Sequence, residues 1–305
     1  MPQEEIKVIV NPVAGNGQVG KNWPRIAQML RERQIPFSYD LTEGIGHAIH
    51  LTRKAIADGY RTIIANGGDG TLNEVLNGLV VSGAVDPSLS LGLIPGGTAS
   101  DFVRTLDIPQ SDEASCDRIT AARTTPVDIG EMTYGPGEKQ STRYFLNVAG
   151  AGFDGEVAER VNKNSKAMGG TIPYLTSLVT TLLTYGNKHV EITLDDRSFK
   201  QYVNSVIICN GRYFGGGMHI GPDAHLDDGI FDVVILGDLG KIEFLANVPR
   251  VYRGTHLSHP KVSSFRSTQV RVTSEEQMYI QADGELIGEA PITFRMIPKG
   301  LRFLA

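Results

Sequence analysis

Asn66-Gly67-Gly68-Asp69-Gly70-Thr71-Leu72-Asn73-Glu74-Val75-Leu76-Asn77 is the stretch that decides how this chain folds. Thr62-Ile63-Ile64-Ala65 leads into it as an apolar, strand-like run. Leu72, Val75, Leu76 and Leu79 leave it at the spacing of a helix face. Glycines therefore stop a strand, and a helix starts at once. Glycine lets a backbone come close to a ligand, and the unpaired N–H groups of a helix N-terminus favour an anion. Asp69 would repel a phosphate in that cradle unless a cation or a proton transfer accompanies it. The combination points to nucleotide phosphates with a metal, and so to phosphoryl transfer.

Upstream, the apolar run at 6–10 predicts a strand, Ile26, Met29 and Leu30 a helix, residues 37–41 a second strand, and Ala48, Leu51 and Ala55 a second helix. Downstream, residues 91–94 predict another strand, and Phe102, Val103 and Leu106 a helix. Repeated βα units with short glycine-bearing connections predict an α/β domain, a doubly wound parallel sheet covered on both faces, over residues 1–126. Two more strands run into glycine loops at the same sheet edge: Asn11-Pro12-Val13-Ala14-Gly15-Asn16-Gly17 and Pro95-Gly96-Gly97-Thr98. One such loop serves turn geometry alone; three at one edge point to a ligand. Thr71 and Thr98 are placed to cap their helices and to donate to a phosphate, and Thr42 ends the second strand at that edge.

Beyond residue 126 the pattern changes to short strand-like runs at 127–133, 144–148, 190–194, 203–209, 231–236, 270–273 and 278–282. Turn signals separate them, among them Gly135-Pro136-Gly137, Asp227-Asp228-Gly229 and Asp283-Gly284. Residues 127–295 therefore read as a mostly antiparallel β-sandwich domain, with 296–305 a tail that could rejoin the first domain. Two helices interrupt it, one with Leu175, Leu178, Val179, Leu182 and Leu183 on one face as pocket or core, the other near 242–248.

The 305 residues suffice for two domains. Hydrophobic residues make up 41% and charged residues 21%, as in ordinary globular chains. A net charge of −5 gives no case for nucleic acid as a partner. Cys116 and Cys209 stand far apart without metal spacing, which predicts two free buried thiols and fits a cytoplasmic location. No window approaches the ~18 apolar residues of a membrane span, so any membrane contact is expected to be peripheral.

The loops, taken in order, resemble the diacylglycerol kinase catalytic family, soluble bacterial lipid kinases more distantly similar to sphingosine and ceramide kinases. Asn-Pro-x-Ala-Gly, Gly-Gly-Asp-Gly-Thr-Leu-Asn-Glu-Val and Pro-Gly-Gly-Thr carry the resemblance in the first half. Ala149-Gly150-Ala151-Gly152-Phe153-Asp154, Leu226-Asp227-Asp228-Gly229 and Asp283-Gly284-Glu285 extend it over nearly the whole chain. The family commonly has Asn-Asp-Phe where this chain has Ser100-Asp101-Phe102, which implies some adjustment at the nucleotide site. The resemblance implies ATP contacts at Asn11, Pro12, Val13, Ala14, Gly15, Thr42, Gly68, Asp69, Gly70, Thr71, Leu72, Asn73, Glu74 and Thr98. It implies that Asp69 acts through Mg²⁺ near the transferred group. It also implies a structural Mg²⁺ on the Asp228 side chain with the carbonyls of His225 and Ile230, and a base for the lipid hydroxyl at Asp283 or Glu285. Read without the family, each of these acidic pairs is a plain β-turn. Asp154, in the glycine-rich turn after Val148, is a supporting acid or a cap for the helix that follows it.

The expected activity is an ATP- and Mg²⁺-dependent kinase converting diacylglycerol to phosphatidic acid in phospholipid metabolism. Lipid would enter between the domains. Rivals are kinases of another lipid alcohol of sphingoid, ceramide or phosphatidylglycerol type, an NAD kinase with a similar Gly-Gly-Asp-Gly-Thr loop, and a catalytically silent binder. A Rossmann oxidoreductase lacks its GxGxxG frame here, and no GxxxxGK[ST] loop is present. Arg250, Arg253, Lys261, Arg266 and Arg271 fall in residues 249–274 without an acid. That run predicts docking on an anionic membrane surface. An open strand edge in the second half could pair two copies as a homodimer.

Overall fold

The computed structural model describes residues 5–81, 83–97, 100–135, 140–165 and 180–305. The chain divides into two units, Met1–Ile129 with Pro298–Ala305, and Gly130–Ile297.

The first unit opens with β1 (Ile6–Val10), α1 (Gln18–Glu32), β2 (Phe37–Leu41), α2 (His47–Ala57), β3 (Thr62–Gly67) and α3 (Asp69–Leu79). The strand Ser90–Pro95 follows, and the parallel order is β2, β1, β3, Ser90–Pro95. The end of the last strand, Ile292–Leu304, adds a parallel neighbour, with Arg302 opposite Ser90 and Phe303 opposite Leu91. Val8, Val10, Ile64 and Ile94 pack with Trp23, Ile26 and Leu30 of α1 and with Cys116 and Ile119. Ile9, Ile63 and Ala65 alternate to the opposite face and are also fully buried. Both faces are therefore covered, as a parallel sheet needs. Cys116 and Ile119 belong to a helix, Asp112–Ala121, that apolar periodicity does not announce: its buried face is Ser115, Cys116 and Ile119. Its start is nonetheless marked, because Ser111 Oγ accepts the Ala114 N–H at 3.1 Å.

The second unit is an antiparallel sandwich. One sheet runs Val262–Ser267, Phe231–Leu236, Ser205–Cys209, Val148–Gly152, Tyr279–Ala282, Glu285–Glu289. The other layer includes Arg197–Val203, Lys188–Leu194, Gln269–Ser274 and the first half of Ile292–Leu304. Val206, Ile208, Val233, Ile235 and Ile280 from the first layer meet Val190, Ile192, Val270, Val272 and Phe294 from the second in one core. Phe145 stacks on Phe231 at 5.8 Å and meets Phe294 edge-on at 6.2 Å.

Three sequence expectations change here. The run at 144–148 is two strands, Ser141–Phe145 and Val148–Gly152, broken at Leu146-Asn147 because those N–H groups bond the Asp283 carboxylate. The glycine-rich segment ending in Phe153-Asp154 is that fully buried strand and not a turn. Its glycines are steric requirements: a Cβ on Gly150 would lie 2.0 Å from Asp154 Oδ2, and one on Gly152 2.5 Å from the Asn204 carbonyl oxygen. The run at 203–209 is likewise split at Asn204, between Arg197–Val203 and Ser205–Cys209. Both cysteines are free and buried. Of the helix expected over 175–183, residues 180–184 are helical, while Leu175, Leu178 and Val179 lie outside the described residues.

Candidate active site

Three glycine loops meet at the carboxyl edge of the parallel sheet, backbone against backbone. A Cβ on Gly15, where φ is +58°, would sit 2.2 Å from the Gly96 carbonyl oxygen. One on Gly97 would sit 2.5 Å from Gly68 Cα. Only glycine permits this approach. Hydrogen bonds knit the same edge: Asn11 N–H donates to the Asn66 carbonyl (2.9 Å) and Gly96 N–H to the Gly67 carbonyl (2.8 Å). Asn11 Nδ2 donates to Thr71 Oγ1 at 2.9 Å. Thr42 is buried beside them, its N–H on the Val10 carbonyl at 2.8 Å. Two buried amide atoms there have no protein partner, Asn11 Oδ1 and Asn66 Nδ2. A buried, unpaired donor and acceptor at a loop junction are what a polar ligand would satisfy. Asn66 opens the deciding stretch, but its place beside two glycines is the only sequence signal of this role.

The other residues implied for ATP divide by what holds them. The first turn of α3, Asp69, Gly70 and Thr71, supplies backbone N–H groups that a helix cannot pair internally. Gly68 caps this helix without a side-chain bond, so Thr71 is a first-turn residue and not its cap. Pro12, Val13 and Ala14 lie in the turn before α1, where the Val13 side chain is exposed. Leu72 and Asn73 are buried. Glu74 is committed elsewhere: its carboxylate accepts the Gly46 N–H (2.7 Å) and the Ala48 N–H (3.1 Å) at the start of α2. Thr98 lies outside the described residues.

Asp69 accepts the Asp101 N–H (3.0 Å) and the Phe102 N–H (3.3 Å), tying the second glycine loop to the short helix Asp101–Thr105. Burial pushes its carboxyl above the usual range, against the pull of those N–H groups and of Arg104. Asp101 is itself buried, 3.8 Å from Arg104 Nε. Ser100, where the family commonly has asparagine, caps that helix at φ +52°, in the left-handed region that asparagine tolerates better than serine.

In the second unit, the turn Asp283-Gly284-Glu285 joins Tyr279–Ala282 to Glu285–Glu289. Asp283 Oδ2 accepts the Leu146 N–H at 3.1 Å, and Oδ1 accepts those of Asn147 (3.0 Å) and Val148 (3.2 Å). Asp283 thus organises the turn, and its oxygens are engaged. Gln281 holds the other side: its Oε1 accepts the Gly284 N–H at 3.1 Å, and its Nε2 donates to Asp154 Oδ2 at 2.9 Å. Burial raises the Asp154 pKa, opposed by the bonds from Gln281 and Ser205. Asp154 opens the helix Phe153–Ser165 and braces the acidic turn through Gln281. Glu285 is half-buried at the turn's exit. Gln281 carries no signal in sequence, since nothing local marks which glutamine reaches a turn.

His225, Asp228 and Ile230 share one loop. Asp228 Oδ1 accepts the Ile230 N–H at 3.3 Å and Oδ2 takes the Arg266 guanidinium. Beside them stands Asp232, unnoticed in sequence, which is buried and has no partner on Oδ2. Burial lifts the Asp232 carboxyl, Arg266 lowers it, and Asp228 and Asp223 lift it further. Among the described residues no three His, Cys, Asp or Glu side chains gather as a metal cluster. A hard cation held by one carboxylate, main-chain carbonyls and water does not need three, and an orphaned carboxylate oxygen fits such an ion.

The five cations of 249–274 do not form one face. Arg250 bonds Asn247 and Ser258, Lys261 pairs with Glu243 at 2.6 Å, and Arg266 pairs with Asp228. Arg271 lies on Gln269–Ser274, in the other layer from Arg266. No helix among the described residues is long and apolar enough to cross a membrane.

Glycine loops gathered at the carboxyl edge of a parallel sheet, with an antiparallel sandwich following, define a phosphate-binding α/β enzyme class. Residues 5–132 match the diacylglycerol kinase catalytic domain, and residues 147–305 the YegS C-terminal NAD kinase beta sandwich-like domain. The diacylglycerol kinase of Bacillus subtilis (strain 168) is 31% identical over 289 residues, 94% of this chain and 92% of that one. That of Staphylococcus carnosus (strain TM300) is 31% identical over 298 residues, 96% of this chain and 92% of its own. The crystal structure of a diacylglycerol kinase from Bacillus anthracis str. Sterne has the same fold. It superposes with a TM-score of 0.73 at 22% identity, over 100% of this chain and 97% of that one. This chain belongs to the diacylglycerol kinase family, and with it to the lipid kinases that phosphorylate an alcohol group.

Proposed function

We propose that the protein transfers the γ-phosphoryl group of ATP to the free hydroxyl of diacylglycerol, giving phosphatidic acid and ADP. The observation that carries this reading is the junction of the three glycine loops, with the unpaired Asn11 Oδ1 and Asn66 Nδ2 beside it. Backbone N–H groups at the start of α3 bind the phosphates, and the Thr71 hydroxyl, oriented by Asn11, donates to them. Glu285 takes the proton of the acceptor hydroxyl as its oxygen attacks the γ-phosphorus, and the bond to the bridging oxygen of ADP breaks. Glu285 suits this role because it is half-buried at the exit of a turn that Asp283 holds in place through three main-chain N–H groups. Mg²⁺, when bound, neutralises charge on the transferring phosphoryl group. Asp228, with the carbonyls of His225 and Ile230, would hold a structural ion beside the orphaned oxygen of Asp232.

The acceptor lives in a bilayer, so peripheral contact with an anionic membrane surface belongs to the same reading. The test offers labelled ATP and Mg²⁺ with diacylglycerol in mixed micelles, sphingoid and ceramide alcohols, phosphatidylglycerol and NAD in parallel. Label in phosphatidic acid is expected. Label in another lipid alone would replace the substrate and keep the mechanism, whereas label in NADP alone would refute the lipid reading.

A further inference from the structure

We infer that the helix Lys241–Tyr252 is the element that seats this protein on an anionic bilayer. The inference rests on the proposed lipid acceptor. The helix buries none of its residues completely. Its inner side is nevertheless fixed: Phe244 packs on Phe153 with ring centroids 4.8 Å apart, and Val251 joins the satellite core under the sheet. The outer side is apolar where a surface helix should be polar. Ile242 is 85% exposed, Leu245 54% and Tyr252 50%, with Ala246 and Pro249 exposed between them. Those positions recur at three- and four-residue steps and make one stripe. Leu183, 63% exposed, extends it, because its carbonyl accepts the Lys241 ammonium.

Charge decides the occupant. Exposed Lys241 and Arg253 stand at the two ends of the stripe, and neither has a carboxylate partner among the described residues. The one acid of the helix, Glu243, is half-buried and neutralised by Lys261 at 2.6 Å, with His259 at 3.4 Å. The outer face therefore offers apolar groups and cations alone. A second copy across a two-fold axis would set this face on itself and bring cation against cation. Anionic headgroups complement both ends while the stripe enters the acyl boundary, and Tyr252 supplies the amphipathic ring favoured at that depth. This assigns membrane contact to an apolar stripe with cationic ends, and not to the basic run of 249–274 as a whole.

The test uses the full chain and vesicles of phosphatidylglycerol with phosphatidylcholine, against phosphatidylcholine alone, read by co-sedimentation. The double variant Ile242→Glu, Leu245→Glu changes exposed side chains only, and its melting temperature should match the parent. A loss of at least tenfold in vesicle partitioning, with a smaller loss for Lys241→Gln, Arg253→Gln that added salt reproduces in the parent, supports the inference. Turnover of a short-chain diacylglycerol below its critical micelle concentration should be the same in parent and variant. Parent-like binding by the double variant, or no binding by the parent, overturns it. A parent dimer that the double variant converts to monomer, with vesicle binding unchanged, overturns it in favour of a second copy. Failure of the lipid-kinase reading shows separately, as no phosphatidic acid from the short-chain substrate in either protein.

Discussion

Asp283 and Glu285 flank one glycine, and the structure predicts opposite consequences for removing their charges. In Asp283→Asn, the carbonyl oxygen can keep the Asn147 and Val148 N–H groups that Oδ1 now accepts at 3.0 and 3.2 Å. The new NH₂ group then faces the Leu146 N–H that Oδ2 accepts at 3.1 Å. One charge-assisted bond is lost and a main-chain donor meets another donor, at a cost of about 1–3 kcal/mol. Asp283→Ala abandons all three, and because the site is half-buried and such bonds are not additive, about 2–4 kcal/mol is expected. At ~2–4 °C per kcal/mol for a unit of this size, the alanine variant should melt roughly 4–16 °C lower. Glu285→Gln keeps shape and length, so its melting temperature should stay within ~2 °C. Its turnover should fall about 10²-fold, the low end for a lost general base, because phosphoryl transfer has a loose transition state. Differential scanning fluorimetry beside a coupled ADP-release assay separates the two. Full turnover in Glu285→Gln, or parent-like melting with lost turnover in Asp283→Asn, would refute the assignment.

Gly97→Ala places a Cβ against the Gly68 backbone, so the Km for ATP should rise about tenfold or more, near 1.4 kcal/mol, while calorimetric unfolding stays cooperative. Glu74→Ala removes the acceptor for the Gly46 and Ala48 N–H groups at the start of α2 and should cost about 1–2 kcal/mol in urea denaturation, with Glu74→Gln losing less. Ser100→Asn should leave stability equal or raised by up to ~1 kcal/mol, since asparagine suits the left-handed conformation there; a clear loss would count against that backbone. Burial holds the His219 and His256 pKa values below their ordinary 6.5, so the unfolded chain binds the extra protons first. Their contribution to stability is complete above about pH 6.5 and is lost as pH falls through and below it. Asp154 and Asp232, with raised values, act in the opposite sense between their ordinary 3.8 and the raised value. The parent should therefore be compared with His256→Gln at pH 7.5 and 5.5, and the difference between them should shrink at the lower pH.

Local chemistry is written along the linear chain. The halt at Gly67-Gly68 and the restart at Leu72, Val75 and Leu76 mark a strand and a helix because periodicity and glycine act within a few residues. Repeating that unit implies a parallel sheet with its loops at one edge, so the glycine junction was legible before any coordinates. The acidic turn was legible too, as residue types at a strand end. Which carboxylate the main chain engages is visible only in three dimensions. Asp283 and Glu285 read alike in sequence until Leu146, Asn147 and Val148 arrive from more than 130 positions away to claim one of them. Glu74 reads as part of a nucleotide motif until α2 presents its unpaired N–H groups to it. Gly150 reads as a turn until the Asp154 carboxylate takes the place of its absent side chain. The helix Lys241–Tyr252 reads only as a helix ahead of a basic stretch until Phe244 and Val251 occupy its inner side and leave Ile242 and Leu245 exposed. Hydrogen-bond partners and burial are set by chain segments distant in sequence, and a linear pattern holds no record of them.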